Sequence, residues 1–290
     1  MRFFNHLLNE PIFQIRGSCG KLAVTPWGKA EVFKEQIRLF PKIIVDNVAE
    51  YGKRMIRGDV LPDREAFPLC VPPFEFSWIE YKYPLAPDKS KVGVPIYLGY
   101  VVTRSPITKD GYSFKTHQFA RNLNYELGIY NRLDLGCTIY YCNPQGEILA
   151  RDFLVDESTK PIVEPMGTAN LNSDPIILQS ISMMNCKNVN LTEPDESKKL
   201  ADKRERKSKP AFRYHVLKVT PMSNSHRTEN IYQPRSEPYQ SLHICRGHFK
   251  DYRDKGLFGK YKGIYWWDSH LRGDMSMGIV DKDYELVNNN

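Results

Sequence analysis

Apolar positions recur at helical spacing near the start of the chain and at strand spacing further on. Between Glu31 and Phe40, the residues Phe33, Ile37 and Phe40 fall on one helical face, and Pro41 closes the segment. Ile44, Val48, Tyr51 and Met55 continue an i, i+4, i+7, i+11 stripe as far as Gly58, so a second helix packed on the first is expected. Lys53, Arg54 and Arg57 gather near its C-terminus, where cations complement the helix dipole. From Phe67 the period changes. Pro72-Pro73 breaks any helix, and Phe74, Phe76 and Trp78 alternate with Glu75 and Ser77, a strand pattern. Residues 95–103 and 136–142 are β-branched and aromatic. The second of these runs through Asn143-Pro144-Gln145-Gly146 into residues 147–155, which predicts a hairpin. Residues 176–184 are short and apolar, and periodicity does not separate a helix from a buried strand there.

The pattern breaks near residue 200. Glu193-Pro194-Asp195-Glu196-Ser197 is acidic, and residues 198–213 then hold eight basic and two acidic side chains. A stretch so charged cannot bury itself, which makes it a solvated linker or a nucleic-acid-binding arm. Beyond it, residues 212–219 alternate as a strand with Tyr214, Val216 and Lys218 on one face, and residues 221–239 form a polar, proline-bearing loop. The expected organisation is therefore an α+β domain over 1–192, built of N-terminal helices and an antiparallel β-sheet. A charged linker over 193–211 follows, and then a β-rich His/Arg/Trp module over 212–290.

Composition narrows the classes. The chain has 290 residues, 41% hydrophobic and 26% charged, enough apolar content for a sizeable core. No run of about 18 apolar residues predicts a membrane span, and Met1-Arg2-Phe3-Phe4-Asn5-His6 lacks the pattern of a signal peptide. The six cysteines are dispersed, with no C-x-x-C pair, as for reduced thiols in a cytoplasm. The net charge of +7 is unevenly shared. Residues 198–213 contribute +6 and residues 240–273 a further +4, so the rest of the chain is slightly acidic.

Five of the seven histidines lie between His215 and His270, beside Trp266 and Trp267. With residues 242–250 and 264–272 treated as paired strands, one surface is expected to collect Arg246, His248, Asp268, His270 and Arg272. Two imidazoles and two guanidiniums suit an anionic ligand such as phosphate, with His248 or His270 available as general acid or base. Lys250 and Lys260 extend the phosphate-binding set. A zinc reading built on His243, Cys245 and His248 lacks a fourth ligand. Gly17-Ser18-Cys19-Gly20-Lys21 is too short for a P-loop, and no G-x-G-x-x-G, G-x-S-x-G or H-E-x-x-H motif occurs. No motif calls for a metal or a cofactor.

The stretches Met184-Asn185-Cys186-Lys187-Asn188-Val189, Arg213-Tyr214-His215-Val216-Leu217, His243-Ile244-Cys245-Arg246-Gly247-His248-Phe249 and Leu257-Phe258-Gly259-Lys260-Tyr261, with the run from Trp266-Trp267 to Arg272-Gly273, resemble a family of uncharacterised proteins of bacteriophages and other bacterial mobile elements. The resemblance covers the last hundred residues and implies a context, the cytoplasm of a bacterial host, but no activity. Two function classes follow. One is a nucleic-acid-binding protein, for RNA or DNA, acting through residues 198–213 and 240–273 and compatible with a metal-independent nuclease site. The other is a non-enzymatic factor that binds a host or phage protein, such as an inhibitor of a host defence complex. In that case Tyr252, Tyr261, Trp266 and Trp267, beside Arg253 and Arg272, are the interface anchors.

Overall fold

Phe76–Lys82 forms the strand that its alternation predicts, and it lies inside a much larger sheet. The computed structural model describes residues 3–10, 12–14, 30–51, 67–84, 94–124, 128–154, 162–165, 175–194, 213–220, 241–245, 247–257, 259–267, 270–272 and 274–279. Over these residues the helices are α1 (Phe3–Asn9), α2 (Ala30–Leu39), α3 (Asp46–Tyr51) and α4 (Pro175–Met184). The first strands are β1 (Ile12–Gln14), β2 (Lys42–Ile44), β3 (Phe76–Lys82), β4 (Val94–Arg104), β5 (Tyr112–Asn124), β6 (Gly128–Cys142), β7 (Ile148–Leu154) and β8 (Ile162–Pro165). After α4 come β9 (Val189–Thr192), β10 (His215–Val219), β11 (Ser241–Cys245), β12 (His248–Asp251), β13 (Ile264–Trp267), β14 (His270–Arg272) and β15 (Asp274–Ile279).

The fold is mostly β, which corrects the expected α+β arrangement of N-terminal helices beside an antiparallel sheet. Ten strands make one mixed sheet in the order β8-β7-β6-β5-β4-β3-β2-β10-β9, with β1 added parallel to β6. The meander from β3 to β8 is antiparallel, whereas β2 runs parallel to both β3 and β10. The second predicted helix begins two residues later than expected. Ile44, its first apolar position, lies in the interior strand β2, which is buried along its length, and among the described residues Asp46–Tyr51 turns helical. A continuous apolar run suits a parallel strand buried on both sides as well as it suits a helical stripe. The basic residues expected at that helix's end, Lys53, Arg54 and Arg57, lie outside the described residues. Lys42 marks the switch. Its ammonium donates to the Arg38 and Phe40 carbonyls, ending α2, and stands 4.7 Å over the Phe4 ring.

Two hydrophobic clusters lie on the sheet. In one, Phe3, Phe4, Leu7 and Leu8 of α1 and Phe33 and Ile37 of α2 bury Trp78, Val101 and Phe119. Glu80 anchors this layer, accepting from the Trp78 indole N–H and the Phe4 backbone N–H, both at 2.8 Å. The other cluster joins Val48 and Ala49 of α3 and Ile176, Ile177, Leu178, Ile181 and Met183 of α4 to Ile79, Tyr81, Tyr100, Phe114 and Tyr140. Nine of the ten residues of α4 are buried, Gln179, Ser180 and Ser182 among them, so it has no solvent-facing polar stripe to mark it as amphipathic. Ile264 and Trp266 belong to this same cluster. Strand β10 sits between β2 and β9. Residues on both sides of the 193–211 segment thus share one sheet and one core. No helix of the described residues is long and apolar enough to cross a membrane.

Candidate nucleic-acid interface

The C-terminal strands pair as two short ladders. His243, Ile244 and Cys245 stand opposite Arg272, Leu271 and His270, while His248, Phe249, Lys250 and Asp251 stand opposite Trp267, Trp266, Tyr265 and Ile264. Both ladders are antiparallel and keep the same register, so β11–β12 and β13–β14 run as one interrupted ribbon. β15 adds parallel to β11. Partners in an antiparallel ladder share a face. His248 therefore shares its register position with Trp267, and His270 and Arg272 share theirs with Cys245 and His243. The register does not set the two imidazoles across from one another. Arg246 and Asp268 lie outside the described residues, as do the side chains of His270 and Arg272.

The β12–β13 hairpin is described most fully. Its inner face carries Phe249 and Trp266, whose rings meet edge to face at 4.8 Å. Trp266 is 2% exposed and belongs to the core, so it is not available as the interface anchor expected of it. Gly247 fits against it, since a Cβ there would stand 2.6 Å from Trp266 Cζ2. The hairpin is fastened by the turn after α4. Asn188 donates through Nδ2 to the carbonyls of Trp266 (2.8 Å) and Thr220 (3.2 Å), and its Oδ1 accepts from the Trp266 N–H (3.0 Å). The Lys187 N–H donates to the Ile264 carbonyl, and the Lys187 stem crosses Gly263 where a Cβ would meet it at 2.9 Å.

The outer face is aromatic and basic. Lys250 Nζ stands 4.1 Å over the Trp267 ring, a cation–π contact. Trp267 is half-buried, and its Nε1 finds no hydrogen-bond partner. Tyr265 is buried between Tyr252 (6.1 Å, tilted) and Tyr261 (6.5 Å, edge to face). Tyr261 is exposed and flanked by exposed Lys260 and Lys262. The tip that presents them is a tight turn: the Leu257 N–H donates to the Tyr261 carbonyl at 2.8 Å and Gly259 takes φ +69°. Glycine reaches that conformation without steric cost. Gly256 and Gly263, also at positive φ, close the base of the loop.

Charge on this hairpin is strongly biased. Residues 248–263 hold Lys250, Arg253, Lys255, Lys260 and Lys262 against Asp251 and Asp254. Arg253 is engaged internally, donating to both Asp251 oxygens (2.6 Å at the shortest) and reaching Glu147 at 4.0 Å. The guanidinium holds the Asp251 carboxyl below its ordinary range. Burial raises the Tyr252 phenol and keeps it neutral at physiological pH. The remaining lysines, 250, 255, 260 and 262, supply the outward positive field. Lys255 and Lys262 fall within a dense alternation of Lys, Tyr and Gly in the sequence. Asn188 lies in one of the stretches that carry the resemblance, but its role depends on two backbone segments brought together by the fold. The basic run at 198–213 lies outside the described residues apart from Arg213, which is exposed and 4.0 Å from Glu193.

Comparison with protein-family models, curated proteins and solved structures finds no match to the chain.

Proposed function

We propose that the protein binds nucleic acid through the outer face of the β12–β13 hairpin. One observation carries the proposal. Trp267, Tyr252 and Tyr261 are set beside four outward lysines on a ribbon whose inner face is locked into the core. Lysines neutralise phosphates and aromatic rings accept base faces, so this combination suits a polyanion that carries planar groups. The bacteriophage-like resemblance of the C-terminal hundred residues accords with such a role in a bacterial host cytoplasm. Binding is favoured over cleavage, because His248 and His270, either of which is expected as general acid or base, occupy register positions opposite Trp267 and Cys245 rather than one another. The test is fluorescence anisotropy with labelled oligonucleotides between 50 and 200 mM salt. Four phosphate contacts correspond to a log–log slope of roughly −3. Substituting Lys255, Lys260 and Lys262 together by Gln is expected to flatten that slope by about 2. Salt-independent affinity, or an unchanged slope in the triple variant, rejects the proposal. A stoichiometric protein captured from lysate in place of nucleic acid favours the protein-binding class instead.

A further inference from the structure

We infer that the hairpin selects single-stranded nucleic acid, with Tyr261 at its tip as the base-stacking residue and Lys260 and Lys262 as its phosphate contacts. The inference rests on the nucleic-acid reading of the same face and goes beyond it. Three observations support it. Tyr261 is 48% exposed, yet its ring is steadied from below by Tyr265, itself 6% exposed, in an edge-to-face contact at 6.5 Å. A ring so mounted keeps open surface without swinging freely, and little side-chain entropy is then lost when a base covers it. The flanking residues complete the unit. In Lys260-Tyr261-Lys262 a lysine precedes and follows the tyrosine in the chain, and all three are exposed. The backbone beneath is fixed, because Leu257 and Tyr261 form a bridge and the Lys260 N–H donates to the Leu257 carbonyl at 3.1 Å.

A duplex offers this unit little. Its base faces are hidden in the stack, and reaching them costs a few kcal/mol of unstacking per step. Groove readout requires side chains that hydrogen-bond to base edges, and duplexes are gripped by Arg and Lys contacts to many phosphates. Among the described residues of this tip, Tyr261 offers an exposed aromatic ring and Lys260 and Lys262 exposed ammonium groups, while the guanidinium of Arg253 in the same hairpin is paired with Asp251. An unpaired strand presents both what the ring accepts and what the lysines accept, with a tolerance for sequence that follows because every base has a π face. Lys250 over Trp267 marks a second, more enclosed ring lower on the same ribbon.

The experiment measures anisotropy of three labelled probes: a 20-nucleotide oligothymidylate, a 20-nucleotide oligouridylate and a 20-base-pair DNA duplex. Wild-type protein is expected to bind at least one single strand tenfold or more tighter than the duplex. Tyr261→Ala is expected to weaken single-strand binding about five- to a hundredfold, from the worth of one stacked base. Tyr261→Phe keeps the ring and is expected to bind as wild type, which separates stacking from loss of fold. Duplex binding as tight as single-strand binding overturns the inference and leaves the nucleic-acid reading standing. An unchanged affinity in Tyr261→Ala does the same. Failure to bind any of the three probes removes both.

Discussion

Asn188 is the pin that holds the hairpin to the sheet, and its removal is calculable. The side chain makes three hydrogen bonds, two donated by Nδ2 to the Trp266 and Thr220 carbonyls and one accepted by Oδ1 from the Trp266 N–H. Asn188 is 7% exposed, so water does not readily replace what Asn188→Ala deletes. At about 1 kcal/mol net for each bond the loss is ~3 kcal/mol, with orphaned backbone groups raising it further. The damage concentrates at β13, because α4 and the sheet keep their other contacts. Native-state hydrogen exchange therefore reads it better than a global midpoint. The Trp266 amide is expected to exchange about a hundredfold faster in Asn188→Ala than in wild type. Asn188→Asp keeps the acceptor for that amide but loses both donated bonds, and is expected to fall between the two. If the Trp266 amide in Asn188→Ala exchanges within twofold of wild type, the hairpin is held by its apolar face alone and the reasoning is wrong.

The other predictions concern packing, conformation and protonation. Gly247→Ala places a methyl 2.6 Å from the buried Trp266 ring and is expected to cost ~1–3 kcal/mol in urea unfolding. Gly259→Ala meets nothing within 4 Å, yet its φ of +69° makes it cost about 1–2 kcal/mol for a backbone reason alone. His117 is held down to about 4, chiefly by burial and further by Lys115, so the folded chain keeps it neutral where the unfolded chain, near 6.5, takes up a proton. Stability is then complete above pH 6.5 and falls as the pH drops from 6.5 towards 4. The loss amounts to about 3 kcal/mol at the lower limit. Urea titrations at pH 7 and pH 4.5 are expected to show that extra loss in wild type and not in His117→Gln.

Much of the local structure is written in the sequence. The Phe33/Ile37 face gives α2, and the Asn143–Gly146 turn gives the β6–β7 hairpin. Alternation around Trp78 gives β3, and the residues after 212 give β10. What the chain does not announce is the company each strand keeps. Ile44 reads as part of a helical stripe because a strand buried on both faces has no period of its own. The candidate site shows the same division. Clustering of His, Lys, Tyr and Trp after residue 240 points to the ribbon, and the glycines at its tip are legible as turn residues. The grouping of side chains is not, because it depends on a register that pairs His243 with Arg272 and His248 with Trp267. Trp266 is indistinguishable from Trp267 in sequence. One lies in the core and the other under a lysine because alternation along β13 sends neighbours to opposite faces.

The position of β10 sets the order in which the molecule can be completed on the ribosome. Strands β3 to β7 join neighbours in sequence and can assemble as each emerges, since local pairings close quickly. β2 can pair with β3 on one side, but its other side and β9 must wait, because the strand that lies between them is translated only at His215–Val219. Until then the open side of β2 presents unpaired backbone groups of the kind that recruit foreign strands. A nascent chain stalled before residue 215 therefore carries an unfinished sheet, and the interval between β9 and β10 is the one in which chaperone protection matters most.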